Sequence, residues 1–301
     1  MQKIIPHLWF NTEAIKAAEF YTSVFGGNSK ISERIIIKDT PSGETELVSF
    51  NLLDYSIMAI SAGPHFKLNP SISFVLTFDA IKDRNAANKL DYFWEKLSKD
   101  GNILMPIDEY FFSKKFGWVE DKFGLSWQLI LVEDETNERN FITPALMFVN
   151  EVYARAEEAT DFYISIFNNS KRGVLKRYSS GMEPNKEGTI LYTDFMLENQ
   201  WFIAMDNGWQ HDFNFNEAFS FIVTCETQDE IDYFWERLSS IPEAEQCGWV
   251  KDKYGISWQI IPIEFFEMIR NGTPKQIEQV FKVILKMRKL EINQLREAFL
   301  S

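Results

Sequence analysis

Apolar residues along the first 133 positions follow two spacings in a fixed order. Alternation with a period of two predicts strands at 3–11, 29–38, 45–53, 55–62, 71–79, 101–106, 115–120 and 125–132. Helical spacing of apolar residues predicts helices over 14–25, with Thr12 as the N-cap, and over 86–99. The order βαβββ therefore occurs twice, which predicts an α+β fold of paired modules.

The second half of the chain repeats this order with recognisable sequence blocks. The segment 117–130, GWVEDKFGLSWQLI, returns at 248–261 as GWVKDKYGISWQII. DYFWEKLS at 91–98 returns as DYFWERLS at 232–239. A long internal repeat fixes the architecture more firmly than any local pattern does, and here it indicates a tandem duplication.

The repeat and the composition along the chain predict four segments. We expect domain 1 at 1–133, a polar linker at 134–140, domain 2 at 141–263 and a helical extension at 264–301. After its second helix, domain 2 has only 240–246 where domain 1 has 99–116. Domain 2 is therefore expected to lack about one strand.

The extension lies outside the repeat and has its own helical pattern. Thr273 and Pro274 form an N-cap and first helical position. Apolar residues follow at helical spacing: Val280, Ile284, Met287, Leu290, Ile292, Leu295 and Leu300. This predicts an amphipathic helical pair whose apolar face packs on the body of the protein or on another subunit.

Composition and charge exclude several function classes. Apolar residues make up 45%, aromatic residues 15% and charged residues 25%, and the net charge is −13. This charge repels nucleic acid, and no cluster of Lys and Arg offsets it. Cys225 and Cys247 lack Cys-x-x-Cys spacing, so we expect two reduced thiols and neither a zinc site nor a disulfide framework.

The chain carries no targeting or membrane signal that its sequence reveals. The first seven residues, MQKIIPH, lack a basic segment followed by a long apolar stretch. No run approaches the roughly 20 apolar residues that a membrane span needs. We therefore expect a cytoplasmic protein with no membrane partner.

Several blocks of the sequence resemble a known family. IPHLWFN at 5–11, AEFY at 18–21, LMP at 104–106, DKFG at 121–124 and SW at 126–127 are similar to segments of PhnB-like proteins. These belong to the vicinal oxygen chelate superfamily, with glyoxalase I, bleomycin-resistance proteins and extradiol dioxygenases. Members are often labelled 3-demethylubiquinone-9 3-methyltransferase-like. The resemblance extends over nearly the whole chain, including the extension.

The resemblance implies a fold and an assembly. In that superfamily, paired βαβββ modules form a curved mixed sheet around a cleft, and many members are homodimers. A duplicated chain of this kind is expected to form an intramolecular pseudo-dimer, and a homodimer of the whole chain is compatible with it.

The same resemblance implies where a metal would bind in the metal-using members. Their ligands come from the first and last strands of the modules, and the corresponding positions here are Ile5, Thr143, Ser73, Ser220, Gln128 and Gln259. An octahedral divalent cation prefers imidazole and carboxylate ligands, which these positions do not offer. We expect neither a metal nor a cofactor. His7 lies on the same strand face as Ile5 and is the candidate for a catalytic group.

The residues predicted to line a pocket come from the first domain. They are His7, Trp9, Ser73, Tyr110, Trp118 and Gln128. Gln128 interrupts an otherwise apolar strand, so its amide must face a pocket or a buried partner. His65 and His211 lie in loops, where each is either a solvated residue or an acid–base group at a pocket rim.

Three functions remain open from the sequence. The first is metal-independent binding of a small molecule in the cleft of domain 1. The second is a lyase, isomerase or dioxygenase-type enzyme that uses a metal or dispenses with one, with His7, Asp108 or Glu109 near the cleft. The third is a structural protein with a vestigial pocket. Methyl transfer is disfavoured, because the chain has no Gly-x-Gly turn to admit a nucleotide-like cofactor and its strand order is not doubly wound.

Overall fold

The computed structural model describes residues 2–40, 43–133 and 139–301. The chain divides into two units: unit 1 combines Met1–Lys67 with Phe215–Ser301, and unit 2 is Leu68–Asn214. Both units are mixed α+β structures. Most of the predicted linker, residues 134–138, lies outside the described residues.

The strands and helices follow the predicted order in both repeats. The strands are β1 (Ile4–Phe10), β2 (Lys30–Thr40), β3 (Gly43–Leu52), β4 (Tyr55–Ser61), β5 (Ile72–Asp79), β6 (Asn102–Tyr110), β7 (Ser113–Glu120), β8 (Ser126–Val132), β9 (Ile142–Phe148), β10 (Lys171–Arg177), β11 (Ile190–Leu197), β12 (Gln200–Asp206), β13 (Phe219–Cys225), β14 (Trp249–Lys251) and β15 (Ser257–Pro262). The helices are α1 (Ala14–Phe25), α2 (Ala86–Ser98), α3 (Ala156–Ile166), α4 (Gln228–Leu238), α5 (Ile263–Asn271), α6 (Pro274–Ile284) and α7 (Ile292–Leu300).

The start of helix α1 differs from the prediction. Glu13, not Thr12, occupies the N-cap position, and the Glu13 side chain forms no capping hydrogen bond. The Ser61 hydroxyl on β4 instead accepts a hydrogen bond from the Ala14 amide at 3.0 Å. A distant strand thus satisfies an amide that the sequence pattern assigned to a local cap.

Each sheet is built from one module of each repeat. In unit 1 the strand order is β14-β15-β13-β1-β4-β3-β2, and in unit 2 it is β10-β11-β12-β9-β5-β8-β7-β6. The central pairs are antiparallel, β1 with β13 and β5 with β9. The sequential segments 1–133 and 141–263 therefore describe repeats of the sequence, whereas each structural unit combines halves of both.

The second repeat is shorter, as predicted. Where the first repeat has the nine-residue strand β6, the second has a 3₁₀ turn at Pro242–Ala244 followed by the three-residue strand β14. Unit 1 consequently has seven strands in its described sheet, and unit 2 has eight.

Each sheet buries one face under helices. In unit 2, Phe78 of β5 contacts Phe93 of α2, with ring centroids 5.6 Å apart. In unit 1, Tyr21 of α1 stacks on Phe50 of β3 at 6.3 Å. Because side chains alternate along a strand, the intervening residues point to the opposite face, which we call the inner face of each sheet.

The extension forms three helices instead of the predicted pair. Helices α6 and α7 correspond to that pair, and α5 precedes them. Helix α6 begins with a capping box, in which the Thr273 hydroxyl accepts from the Gln276 amide and the Gln276 side chain accepts from the Thr273 amide. Within the described residues, no helix is long and apolar enough to cross a membrane.

Candidate functional site

The most strongly repeated sequence block forms a buried turn, not a reactive site. Asp121 accepts hydrogen bonds from the amides of Phe123 and Leu125 and, at 2.8 Å, from the Trp127 indole. In the second repeat, Asp252 makes the same three bonds, with the Trp258 indole also at 2.8 Å. The carboxylate closes the turn before the last strand, so this repetition reports on folding.

On the inner face of unit 1, three polar side chains form a chain of contacts. The Gln259 amide of β15 donates to the Ser220 hydroxyl of β13 at 3.0 Å. Nδ1 of His7, on β1, lies 3.5 Å from the same hydroxyl. Gln259 and Ser220 thus satisfy each other, and the imidazole completes the group.

His7 is almost completely buried, with 2% of its surface exposed. Its ring packs edge-on against Trp249 at 5.7 Å, and Trp9 contacts the same indole at 6.4 Å. Burial lowers the pKa of His7 to about 3, so the imidazole is neutral at physiological pH. In this environment it is a hydrogen-bonding group of the interior and not a group poised to exchange protons near neutrality.

The C-terminal helices pack on the rest of this inner face. Ile5, Leu47, Met58, Ile222 and Ile261 of the sheet share one apolar cluster with residues of the extension. Those residues are Phe265, Met268, Ile269, Val280, Ile284, Leu290, Leu295 and Ala298. The amphipathic extension was predicted to pack on the body of the protein or on another subunit, and the structure shows it packed on the body.

Polar bonds fix the extension in this place. The amides of Cys247 and Gly248 donate to the carbonyls of Met287 and Arg288, each at 2.8 Å. The Gln228 side chain of α4 donates to the Leu290 carbonyl and accepts from the Ile292 amide. The inner face of unit 1 is therefore covered by an anchored segment of the same chain.

The inner face of unit 2 repeats part of this arrangement. The Gln128 amide of β8 donates to the Ser73 hydroxyl of β5 at 2.8 Å. Ala145 pairs with Ser73 and Ile203, as His7 pairs with Ser220 and Met58, so alanine occupies the position of the histidine. This face thus keeps the amide–hydroxyl pair and lacks the imidazole.

The tryptophans opposite Gln128 and Gln259 make different contacts in the two units. Trp118 of unit 2 lies opposite Gln128, and its indole donates to the Ser126 hydroxyl at 2.7 Å. Its counterpart Trp249 packs on His7, and the hydroxyl of Ser257 has no hydrogen-bond partner among the described residues. The equivalent tryptophans thus have different partners, Ser126 in unit 2 and His7 in unit 1.

An aromatic group lies at the β6–β7 end of the sheet of unit 2. Tyr110 stacks on Phe112 at 5.7 Å, and both contact Phe116. Asp108 and Glu109, the carboxylates considered for an enzymatic role, are exposed on β6. They do not belong to the buried polar group around Gln128.

The six predicted pocket residues are divided between the two sheets. His7 and Trp9 lie on β1 of unit 1, whereas Ser73, Tyr110, Trp118 and Gln128 lie on strands of unit 2. The prediction of one cleft in domain 1 assumed that each repeat folds on itself. The strand pairings separate the set because each sheet takes one module from each repeat.

Sequence reasoning missed a polar group on the inner face of unit 2. Asp194 of β11 is 1% exposed and forms an ion pair with Arg139. The Tyr192 hydroxyl donates to the same carboxylate at 3.3 Å, and the Arg139 guanidinium lies 5.4 Å from the Tyr192 ring. Burial, and secondarily the charge of Asp194, raises the pKa of Tyr192, so its phenol stays protonated.

The two loop histidines have different surroundings. His65 is exposed and contacts the edge of Trp9 at 6.5 Å. His211 is half-buried beside a surface pocket of about 610 Å³ in unit 2, and burial lowers its pKa. The pocket is also lined by Asn150, Tyr153, Trp209 and Gln210. The Asn150 side chain bonds the backbone of His211 and Phe213 and so holds this loop.

The residues at the implied metal positions do not suit a divalent cation. Ser73, Gln128 and Thr143 in unit 2 are neutral donors, and the Ser73 hydroxyl is already bonded to Gln128. In unit 1, Ile5 has no donor atom. Throughout the described ranges, no three His, Cys, Asp or Glu side chains are grouped to hold a metal ion. Hard cations require several anionic or carbonyl oxygens, which neither face gathers.

Comparison with known proteins identifies both repeats with one family. The profile of the family described as 3-demethylubiquinone-9 3-methyltransferase matches residues 2–130 and again 140–261. A PhnB protein from Bacillus cereus is 35% identical, with a TM-score of 0.39, and the match covers 44% of this chain and all of that chain. No curated protein sequence matches the chain.

One solved structure is similar in fold along most of this chain. Glyoxalase I from Zea mays is 11% identical, with a TM-score of 0.53, over 89% of this chain and 96% of that chain. A match over 89% of this chain includes parts of both repeats and supports an intramolecular pseudo-dimer. At this identity the likeness concerns the fold alone.

Proposed function

This chain belongs to the 3-demethylubiquinone-9 3-methyltransferase family, the PhnB-like branch of the vicinal oxygen chelate superfamily, and on that premise we propose that it binds a small molecule without a metal at the inner face of unit 2. The observation that carries the proposal is the difference between the two inner faces. An anchored helical extension covers that of unit 1. On unit 2, the corresponding cluster has three buried apolar residues, Val75, Ala145 and Ile203, beside the half-buried Ile130, Tyr192 and Met205.

The inner face of unit 2 offers the mixture that a small-molecule site needs. Ligand pockets combine a mostly apolar lining with a few fixed polar groups. Here the half-buried Ile130 and Met205 provide apolar surface, and Gln128 provides an amide that its bond to Ser73 holds in place. The Trp118 indole, fixed by Ser126, adds a half-buried aromatic wall.

Binding is favoured over lyase, isomerase or dioxygenase chemistry by the state of the reactive groups. His7 is neutral and buried, Ala145 replaces it in unit 2, and the exposed Asp108 and Glu109 lie outside the polar group. General acid–base catalysis needs a group that exchanges protons near the working pH and reaches the substrate. Methyl transfer has no support in the strand order, since neither sheet is doubly wound.

A ligand screen with matched variants tests this proposal. A panel of small aromatic and aliphatic compounds is titrated against the protein, with stoichiometry measured by calorimetry and metal content by elemental analysis. We expect one molecule bound per chain, no stoichiometric metal, and affinity weakened about tenfold or more by Gln128→Leu. The matched variant Gln259→Leu removes the same amide from the face that the extension covers and should leave affinity unchanged. Equal effects of the two variants, or a stoichiometric metal, would contradict the proposal.

A further inference from the structure

The carboxylate of Asp194 is held in a site that the backbone is shaped to receive. Strand β10 has a register irregularity between Arg172 and Leu175, and there the Val174 amide donates to Asp194 Oδ1 at 2.5 Å. A Cβ atom added at Gly173 would lie 2.0 Å from the same oxygen. The irregular strand and the glycine together make room for a buried anion, as β-bulges often do beside sites.

Asp194 in turn positions the guanidinium of Arg139. The ion pair uses the Nη2 nitrogen of Arg139, and the side chain of the arginine is 18% exposed. A guanidinium carries five N–H donors in a rigid fork, and among the described residues its ion pair with Asp194 engages one side of that fork. Donors withdrawn from water require an acceptor, since an unmatched polar group costs about 1–3 kcal/mol.

The inner face of unit 1 shows which residues occupy the equivalent positions beneath the helical extension. Ser49 pairs with Met58 as Asp194 pairs with Ile203, so serine occupies the position of the aspartate. By the same register, Leu47 occupies the position of Tyr192 and belongs to the cluster packed against the extension. The acidic and phenolic groups therefore occur on the face whose apolar cluster, within the described residues, is built from strands alone.

The charges of this group restrict the ligand that suits it. Arg139 and Asp194 neutralise each other, and the Tyr192 phenol is uncharged. A ligand anion would stand near a buried carboxylate, and a ligand cation would stand near the guanidinium. Both arrangements add an unbalanced charge to a poorly solvated site.

We infer that Arg139, positioned by Asp194 and Tyr192, determines the specificity of the inner face of unit 2, and that its ligand presents an uncharged oxygen acceptor such as a carbonyl. This inference rests on the proposed binding function and names the ligand class for it. The guanidinium donates to the ligand oxygen, while the apolar body of the ligand packs against the half-buried Ile130 and Met205 of the same face.

The test uses three probes with one aromatic body: 2-naphthamide, 2-naphthoate and 2-naphthylmethylammonium. We expect the amide to bind about tenfold more tightly than either charged probe. Arg139→Lys keeps the positive charge but loses the fork, and it should reduce the preference for the amide by about tenfold. Arg155→Lys is the matched control, because Arg155 pairs with Glu158 at the start of α3, on the helix-covered side of unit 2, and should leave the preference unchanged.

The outcomes separate this inference from the function on which it rests. Tighter binding of the naphthoate, or an Arg139→Lys variant with unchanged preference, overturns the inference, while a continued effect of Gln128→Leu leaves the binding function standing. Failure of all three probes, or binding that Gln128→Leu does not alter, overturns both. If Arg139→Lys does not fold, titration of the unaltered protein decides the question: the Arg139 Nε–Hε resonance must shift with naphthamide, and an unchanged resonance overturns the inference.

Discussion

Replacing His7 by glutamine is expected to remove a defined part of the pH dependence of stability. The folded protein holds this imidazole neutral, with a pKa of about 3, whereas its ordinary value is 6.5. The contribution of His7 to the free energy of unfolding is therefore fully present above pH 6.5. It is lost progressively as the pH falls below that value, because the unfolded chain takes up a proton that the folded chain does not. At pH 5.5, about nine-tenths of a proton separates the two states, which integrates to about 1.4 kcal/mol relative to pH 8.

The assay is urea unfolding at pH 8 and pH 5.5 for the unaltered protein, His7→Gln and His65→Gln. Between pH 8 and pH 5.5, the free energy of unfolding should fall in both proteins. The fall should be about 1.4 kcal/mol smaller in His7→Gln than in the unaltered protein. Other groups, such as Asp206 with its burial-raised pKa, contribute equally to both proteins and cancel. His65 is exposed, so His65→Gln should behave like the unaltered protein. Identical losses in His7→Gln and the unaltered protein would refute the burial of a neutral imidazole.

Further substitutions test the packing of the inner faces and the equivalence of the two repeated turns. Leu295→Ala, in the cluster beneath α7, should lower the free energy of unfolding by about 3 kcal/mol in urea, and the exposed Leu300→Ala should change it little. Gly173→Ala should lower it by about 2 kcal/mol, because the new methyl group meets Asp194; an unchanged melting temperature would contradict the close approach. Asp121→Asn and Asp252→Asn should each lower it by about 3 kcal/mol and by similar amounts, since both carboxylates accept the same three bonds; a clear inequality in calorimetry would count against equivalent turns.

The sequence predicted the modules well and left the pairing of modules undetermined. Alternation along a strand tells which residues share a face, and that is why strands such as β1, β5 and β8 lie close to their predicted bounds. It does not tell which strand lies beside which. Because the two repeats carry nearly the same blocks, β1 could pair with β5 or with β13 on local grounds. The choice of β13 is a property of the whole chain.

The polar group on the inner face of unit 2 is visible in the sequence in part, for the same reason. Gln128 stood out because it interrupts an apolar strand, and the structure pairs its amide with Ser73. Asp194 interrupts the strand LYTDFML in the same way, and this interruption is the sequence signal for its buried carboxylate. Arg139 fell in a run of polar residues that the sequence pattern assigns to a linker. Its role depends on the ion pair with Asp194, 55 positions away, which no local spacing reveals.

The duplication provides a comparison within one chain. At equivalent strand positions, the face of unit 1 has Ile5, Leu47 and Ser49 where that of unit 2 has Thr143, Tyr192 and Asp194. The first of these faces meets the apolar side of the C-terminal helices, and the apolar residues follow from that contact. The two sheets therefore share one scaffold, and their residues differ at positions that the C-terminal helices cover in unit 1. A polar group buried at these positions carries a desolvation cost that packing alone does not require, and a ligand with matching polarity offsets it.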